Sequence, residues 1–210
     1  MLGIHHYWLF IATAIVLILT PGQDTFFILG RSLSGGRAAG VVAALGVSAG
    51  TVGHTVLAAL GLSALLATSP YAFMAVKFAG AAYLLYIGIR ALLTRSSQAP
   101  GADAAAGGDG RWPAFRQGII TNLLNPKVAL FFLALMPQFI DAGSKAKVAA
   151  FLALGLTFVT LGVVWCCVLA VGAAKLRGAF LRRPSIATWL NRVAGAMFIA
   201  LGIKLATARQ

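Results

Sequence analysis

Acidic residues are scarce in this sequence. Four aspartates (Asp24, Asp103, Asp109 and Asp141) stand against 17 lysines and arginines in 210 residues. The formal net charge is +13. In a soluble protein that excess would point to nucleic acid, but no stripe of basic and aromatic residues accompanies it. Charged residues of every kind make up only 10% of the chain, and 60% is hydrophobic. Soluble domains are nearer a quarter charged and half apolar. With a mean hydropathy of +0.91, the sequence reads as an all-α integral membrane protein, and its basic residues read as topology signals.

Other absences narrow the function. Cysteine occurs twice, as the neighbours Cys166 and Cys167. Adjacent residues on a helix point apart, so a mutual disulfide or a shared metal is disfavoured and packing is the expected role. No pattern of Gly, four residues, Gly-Lys-Ser/Thr is present, which excludes P-loop nucleotide chemistry. The N-terminus lacks the basic segment and cleavage site of a secretory signal. His5 and His6 are expected at the interface, with Tyr7 and Trp8 as belt residues.

What is present is a break. The apolar run from Tyr7 to Leu29 is long enough to cross a bilayer, yet it contains Thr20-Pro21-Gly22-Gln23-Asp24. Thr20 suits a helix N-cap, Pro21 a first helical position, and Gln23 the far end of a capping box. Asp24 then falls in a first turn, where the helix dipole favours a carboxylate. Leu19-Thr20-Pro21 and Phe26-Phe27 recur as Leu124-Asn125-Pro126 and Phe131-Phe132 at a common offset of 105 residues. Asn125 and Pro126 again suit a cap and a first position. Two interrupted hydrophobic segments in corresponding halves are the sequence pointer to a transporter's substrate site.

Six spans are expected, at roughly 7–29, 40–67, 71–93, 115–137, 147–173 and 186–207, each near the ~20 residues a bilayer requires. Eleven basic residues fall on one side of these spans, five on the other, and Lys127 lies within one. The positive-inside rule then puts both termini outside. Residues 94–114 are rich in Ser, Ala, Gly and Asp and read as a flexible cytoplasmic linker between halves 1–93 and 115–210. Further matches relate the halves. Gly46 and Gly53 correspond to Gly155 and Gly162, and Ala79-Gly80-Ala81 with Gly88-Ile89-Arg90 corresponds to Ala194-Gly195-Ala196 with Gly202-Ile203-Lys204. An odd number of spans per half makes the two repeats inverted, with helices 1 and 4 broken at proline. Gly46-xxx-Gly50 has the spacing that lets helices approach closely. The spacing leaves open whether the approach is within one chain or between two copies in a homodimer.

Asp24 is the only acid at clear membrane depth. Such residues face a cavity or a partner, and here a carboxylate could carry a proton. Against that stands a purely structural carboxylate at a helix start. Lys127 is the only base deep in a span. It would pair with Asp24, meet a substrate carboxylate, or snorkel along its own stem. The half-helix N-termini at Thr20-Pro21-Gly22 and Asn125-Pro126 suit a substrate carboxylate, with Gln23, Asn122 and Asn125 adding side-chain hydrogen bonds. The competing reading is two ordinary proline kinks. His54 either relays protons or makes a plain interhelical hydrogen bond. Tyr83, Tyr86, Phe131 and Phe132 could line a pocket but read as packing or lipid-facing.

These segments together resemble the LysE/RhtB family of bacterial amino-acid exporters over essentially the whole chain. Those that carry the resemblance are Leu19 to Thr25, Arg31 to Arg37, Lys77 to Gly88, and Gln117 to Pro137 with Gln138-Phe139-Ile140. The resemblance implies a small exporter of the bacterial inner membrane, driven by the proton-motive force. Its substrates would be amino acids or close derivatives of the threonine, homoserine, homoserine lactone, leucine or lysine type. Gln23 stands where many members have a second proline, and Thr51 where many have an aspartate after the second-span glycine.

The leading expectation is therefore a secondary exporter working by alternating access, not an enzyme, with no cofactor. Its partners would be an amino-acid substrate, protons and membrane lipid, and no nucleic acid. The alternative is a metal or other cation exporter on the same scaffold, although one intramembrane acid and one histidine are thin as ligands. A thiol redox conduit would need cysteines at equivalent helix breaks. A non-transporting scaffold would need Gln23, Asp24 and Asn125 only for stability.

Overall fold

The computed structural model describes residues 2–62, 70–93, 110–141 and 143–182, together with 192, 195, 196, 198–200, 202, 203, 206 and 207. Every named element among them is helical. Helix α1 spans Tyr7–Leu19 and α2 spans Gln23–Leu57, continuing as a π-type turn over Ala58–Leu62. Helix α3 spans Pro70–Leu93, α4 Arg111–Leu123 and α5 Pro126–Leu130. Beyond α5 the chain widens into a π turn, Phe131–Leu135, and tightens into a 3-10 turn, Met136–Phe139. Helix α6 spans Lys147–Arg182.

Both expected breaks exist. The chain leaves helical geometry after Leu19 and resumes at Gln23, then leaves after Leu123 and resumes at Pro126. The second break bends its two helices by 47°. Each broken segment opens with a 13-residue helix. The segments Gln23–Leu62 and Lys147–Ala173 are each long and apolar enough to cross a membrane, and α4 with the segment Pro126–Phe139 forms a bent third. The protein is thus multi-pass. The second expected span is described as far as Leu62, and most of the sixth lies outside the described residues, as do 94–109 of the expected linker.

Three local expectations are corrected. Thr20 does not cap α2. It ends α1, with its N–H and its Oγ1 both donating to Val16 O. Gly22 is the N-cap residue of α2 and makes no side-chain cap, so Pro21 precedes the helix and no capping box forms around Gln23. Arg31 does not lie in a connecting loop. Nothing between Leu29 and Gly35 stops a helix, so α2 continues to Gly36, where φ 77° and ψ 179° turn the chain. Finally, 111–114 form the first turn of α4, because a helix's first N–H groups need no intrahelical acceptor and Pro113 is tolerated there.

Helices α2 and α4 approach closely. A Cβ on Gly118 would sit 2.7 Å from Ala43 O, one on Gly46 would strike the Phe115 main chain, and one on Gly50 would sit 2.8 Å from Asn122 Cβ. The Gly46-xxx-Gly50 pattern therefore serves a contact within the chain. In α3, a Cβ on Gly88 would meet Gly195 O at 2.8 Å, while one on Gly202 would meet Ala81 O at 3.1 Å. The two segments consequently run antiparallel past each other.

Two apolar clusters fill the interior. One is aromatic, with Phe131 stacked on Phe158 at 4.5 Å and packed on Phe10 at 5.8 Å. The other joins Phe27, Ile28, Val47 and Leu169. The expected packing roles of Phe131 and Phe132 match their burial in the first cluster.

Candidate functional site

The two breaks lie side by side, joined by side chains of the second that reach the first. The end of α1 leaves carbonyls without intrahelical partners. Lys127 Nζ donates to two of the nearby oxygens, Leu17 O at 3.1 Å and Thr20 O at 2.9 Å. A cation at the negative end of a helix is electrostatically favoured. Gly22 makes room for it, since a Cβ there would stand 3.2 Å from Nζ.

A further contact runs from the second break to Asp24. Asn122 Nδ2 and Asn125 Nδ2 each donate to Asp24 Oδ2 at 2.9 Å. Asp24 sits in the first turn of α2, as its sequence position suggested, so the dipole adds to these charge-assisted bonds. Asn125 is the N-cap of α5 and accepts from the Lys127 N–H at 3.1 Å through Oδ1. Pro126 takes the first helical position, as expected.

Asn122 is the hub. It is fully buried. Its Oδ1 accepts from Thr51 Oγ1 at 3.2 Å, and its main-chain O lies 3.1 Å from His54 Nε2. His54 also stacks on Phe132 at 5.6 Å. The histidine therefore makes the interhelical hydrogen bond that was one of its two expected roles.

A cavity of about 50 Å³ opens beside this network. That is well above the ~10–15 Å³ one water needs. Its polar wall holds Asp24, Thr25, Ser48, Thr51, Asn122 and Lys127. Its apolar wall comes largely from α6, through Phe158, Val159, Val163, Trp165 and Leu169. Because Leu17, Val128 and Phe158 belong to one apolar cluster and Val47, Cys166 and Leu169 to the other, the cavity lies between the two.

Of the residues expected at a site, Asp24, Asn122 and Lys127 line this cavity, and Asn125 supports it through Asp24. Thr20 contributes its carbonyl to Lys127. Gln23 is exposed and does not line the cavity, and Gly22, Pro21, Pro126 and His54 shape its surroundings without forming its wall. Asp24 and Lys127 bond to the opposite breaks; among the described residues they form no ion pair with each other. Sequence reasoning missed Thr51, Ser48 and the α6 wall with Trp165. A period-3.6 stripe over 158, 162, 165 and 169 is the signal that places them on one face.

Away from the cavity, Arg31 is buried at 6% exposure, donates to Gln117 Oε1 at 2.6 Å and lies over the Phe27 ring. At the start of the chain, the Asp141 N–H donates to Gly3 O and the His5 N–H donates to Phe139 O. This ties the N-terminus to the segment that follows α5.

The LysE type translocator family matches residues 15–209. An uncharacterized membrane protein of Vibrio cholerae is 37% identical over 210 residues, covering 97% of this chain and 98% of the relative. A second, from Pseudomonas aeruginosa, is 35% identical over 211 residues, covering 99% and 97%. A leucine efflux protein of Klebsiella pneumoniae is 31% identical over 206 residues, covering 98% and 96%. No solved structure matches. With the family matched over nearly its whole length and full-length relatives above 30% identity, this chain belongs to the LysE-type translocators.

Proposed function

We propose that the protein is a secondary exporter of amino acids or close derivatives, and that a proton taken up by Asp24 drives each cycle. The observation that carries this reading is the asymmetry of the Asp24 carboxylate. Oδ2 is held by Asn122 and Asn125 from the opposite break, while Oδ1 is buried without a protein partner in a residue that lines the cavity. A carboxylate held by one oxygen and unpaired at the other is suited to binding and releasing a proton at a fixed place.

The remaining architecture follows from the same reading. Six spans form two inverted halves, 1–93 and 111–210, joined on the cytoplasmic side, with both termini outside the inner membrane. The direct contact between the two breaks supports this pairing of halves. So does the antiparallel approach of Gly88 to Gly195 and of Ala81 to Gly202, since Gly88 corresponds to Gly202 and Gly195 to Gly80, the neighbour of Ala81. Rocking of one half against the other about the Asp24–Asn122–Lys127 region gives alternating access. An apolar α6 wall, and the name of the Klebsiella relative, put leucine and other aliphatic amino acids first among the substrates.

The test is efflux from proteoliposomes preloaded with single labelled amino acids, with a pH gradient imposed or collapsed. Gradient-accelerated loss of an aliphatic amino acid is expected. No accelerated loss of any amino acid from correctly folded protein contradicts the proposal.

A further inference from the structure

Two residues on opposite walls of the cavity each keep a buried polar atom without a protein hydrogen-bond partner. They are Asp24 Oδ1 and Trp165 Nε1. The two are complementary in kind: a carboxylate oxygen accepts, and an indole N–H only donates. Buried polar groups are as a rule satisfied, so an orphan acceptor and an orphan donor around one cavity call for a partner that carries both functions. The other two such atoms among the described residues, Arg31 Nε and Ser32 Oγ, belong to residues that do not line it.

A third feature lies on α6. Gly162 lines the cavity, and a Cβ placed there would meet nothing within 4 Å. Its neighbours on that wall, Phe158, Val159 and Val163, are apolar. The glycine therefore leaves unfilled space beside an apolar surface, one turn from Trp165.

We propose that Trp165 is a substrate-binding residue whose indole N–H holds the carboxylate of an α-amino acid. The ammonium goes to Asp24 Oδ1 and an aliphatic side chain enters the space left by Gly162. This assignment rests on the exporter reading and specifies its substrate as a zwitterion with an apolar side chain. It also gives the exchange a physical basis. A proton and the substrate ammonium compete for the same Asp24 oxygen, so protonation releases the amino acid.

The experiment measures binding of labelled leucine to the purified full-length protein in detergent, with unlabelled alanine and 3-methylbutylamine as competitors. The amine keeps leucine's side chain and ammonium but has no carboxylate. Trp165→Phe retains the ring and removes the donor. It is expected to weaken leucine roughly tenfold, the scale of one hydrogen bond to a charged group, and to leave competition by the amine unchanged. Gly162→Leu is expected to weaken leucine and spare alanine. Wild-type leucine affinity in Trp165→Phe, or equal losses for leucine and the amine, overturns the role of the indole. Equal effects of Gly162→Leu on leucine and alanine overturn the side-chain assignment. Wild-type protein that binds neither amino acid overturns the exporter reading and this assignment with it.

Discussion

Asp24 and Asn122 stand 98 residues apart in the chain and 2.9 Å apart in space, carboxylate Oδ2 to carboxamide Nδ2. The acid opens the helix after the first break, and the amide closes the helix before the second. Each interruption alone would leave backbone groups unsatisfied in an apolar setting, which is costly. Placed together, the second break serves the first: Lys127 takes up the carbonyls at the end of α1, and Asn122 and Asn125 hold the Asp24 carboxylate.

Replacing Asn122 by alanine removes a donor to Asp24 and an acceptor for Thr51 in a fully buried position. Asp24 Oδ2 keeps its bond from Asn125 and Thr51 Oγ1 its bond to Val47 O, so the loss of the two Asn122 bonds is expected to cost about 1–3 kcal/mol. Thermal unfolding of the purified variant should show a fall of several degrees in Tm. An unchanged Tm would mean that the hub is not structural.

Lys127→Met keeps the apolar stem and removes the ammonium. The loss of two bonds to the carbonyls of Leu17 and Thr20 should destabilise by roughly 1.5–3 kcal/mol. Lys127→Arg, which restores the charge, should recover part of it. Equal Tm values for the wild type and the methionine variant would show that α1 ends without help from Lys127.

Two glycines separate close packing from open space. Gly118→Ala forces a methyl against Ala43 O and Val47 N on α2, and overpacking of this kind costs about 1–3 kcal/mol. Gly162→Ala meets nothing and removes a poor helix former, so it should be neutral or stabilising by up to ~1 kcal/mol. The same substitution thus has opposite signs at two sites. Matched melting curves that show the same sign would refute the α2–α4 packing described above.

Both cysteines are free, and Cys166 lines the cavity as part of an apolar wall. A Cys166→Ser/Cys167→Ser variant should retain gradient-driven efflux within about twofold, allowing for modest loss of packing. Abolished transport in a folded double variant would return thiol chemistry to the mechanism.

How much of this was legible beforehand depends on the kind of signal. Proline, glycine and asparagine inside apolar runs are chemically loud, and they located both breaks together with Asp24, Asn122, Asn125 and Lys127. Local cap chemistry was less dependable. Thr20 can serve either end of a helix, and here its hydroxyl bonds back to Val16 O. Arg31 fell between the first two expected spans because the apolar run was ended at Leu29, whereas the helix continues to Gly36, where φ turns positive. Trp165 was invisible for another reason. A tryptophan in an apolar helix reads as core or belt, and only the three-dimensional surroundings reveal that its N–H lacks a partner.

The central claim is that the proton which drives export binds at Asp24. Its most direct test uses proteoliposomes containing wild type or Asp24→Asn, preloaded with the amino acid that wild type transports best. Efflux is measured with and without an imposed pH gradient. Asn keeps the hydrogen-bonding shape but cannot take up a proton. The account predicts that the variant folds, as judged by its melting curve, and that the gradient no longer accelerates its efflux. Full gradient-driven efflux by Asp24→Asn would contradict it and move the coupling proton to another group.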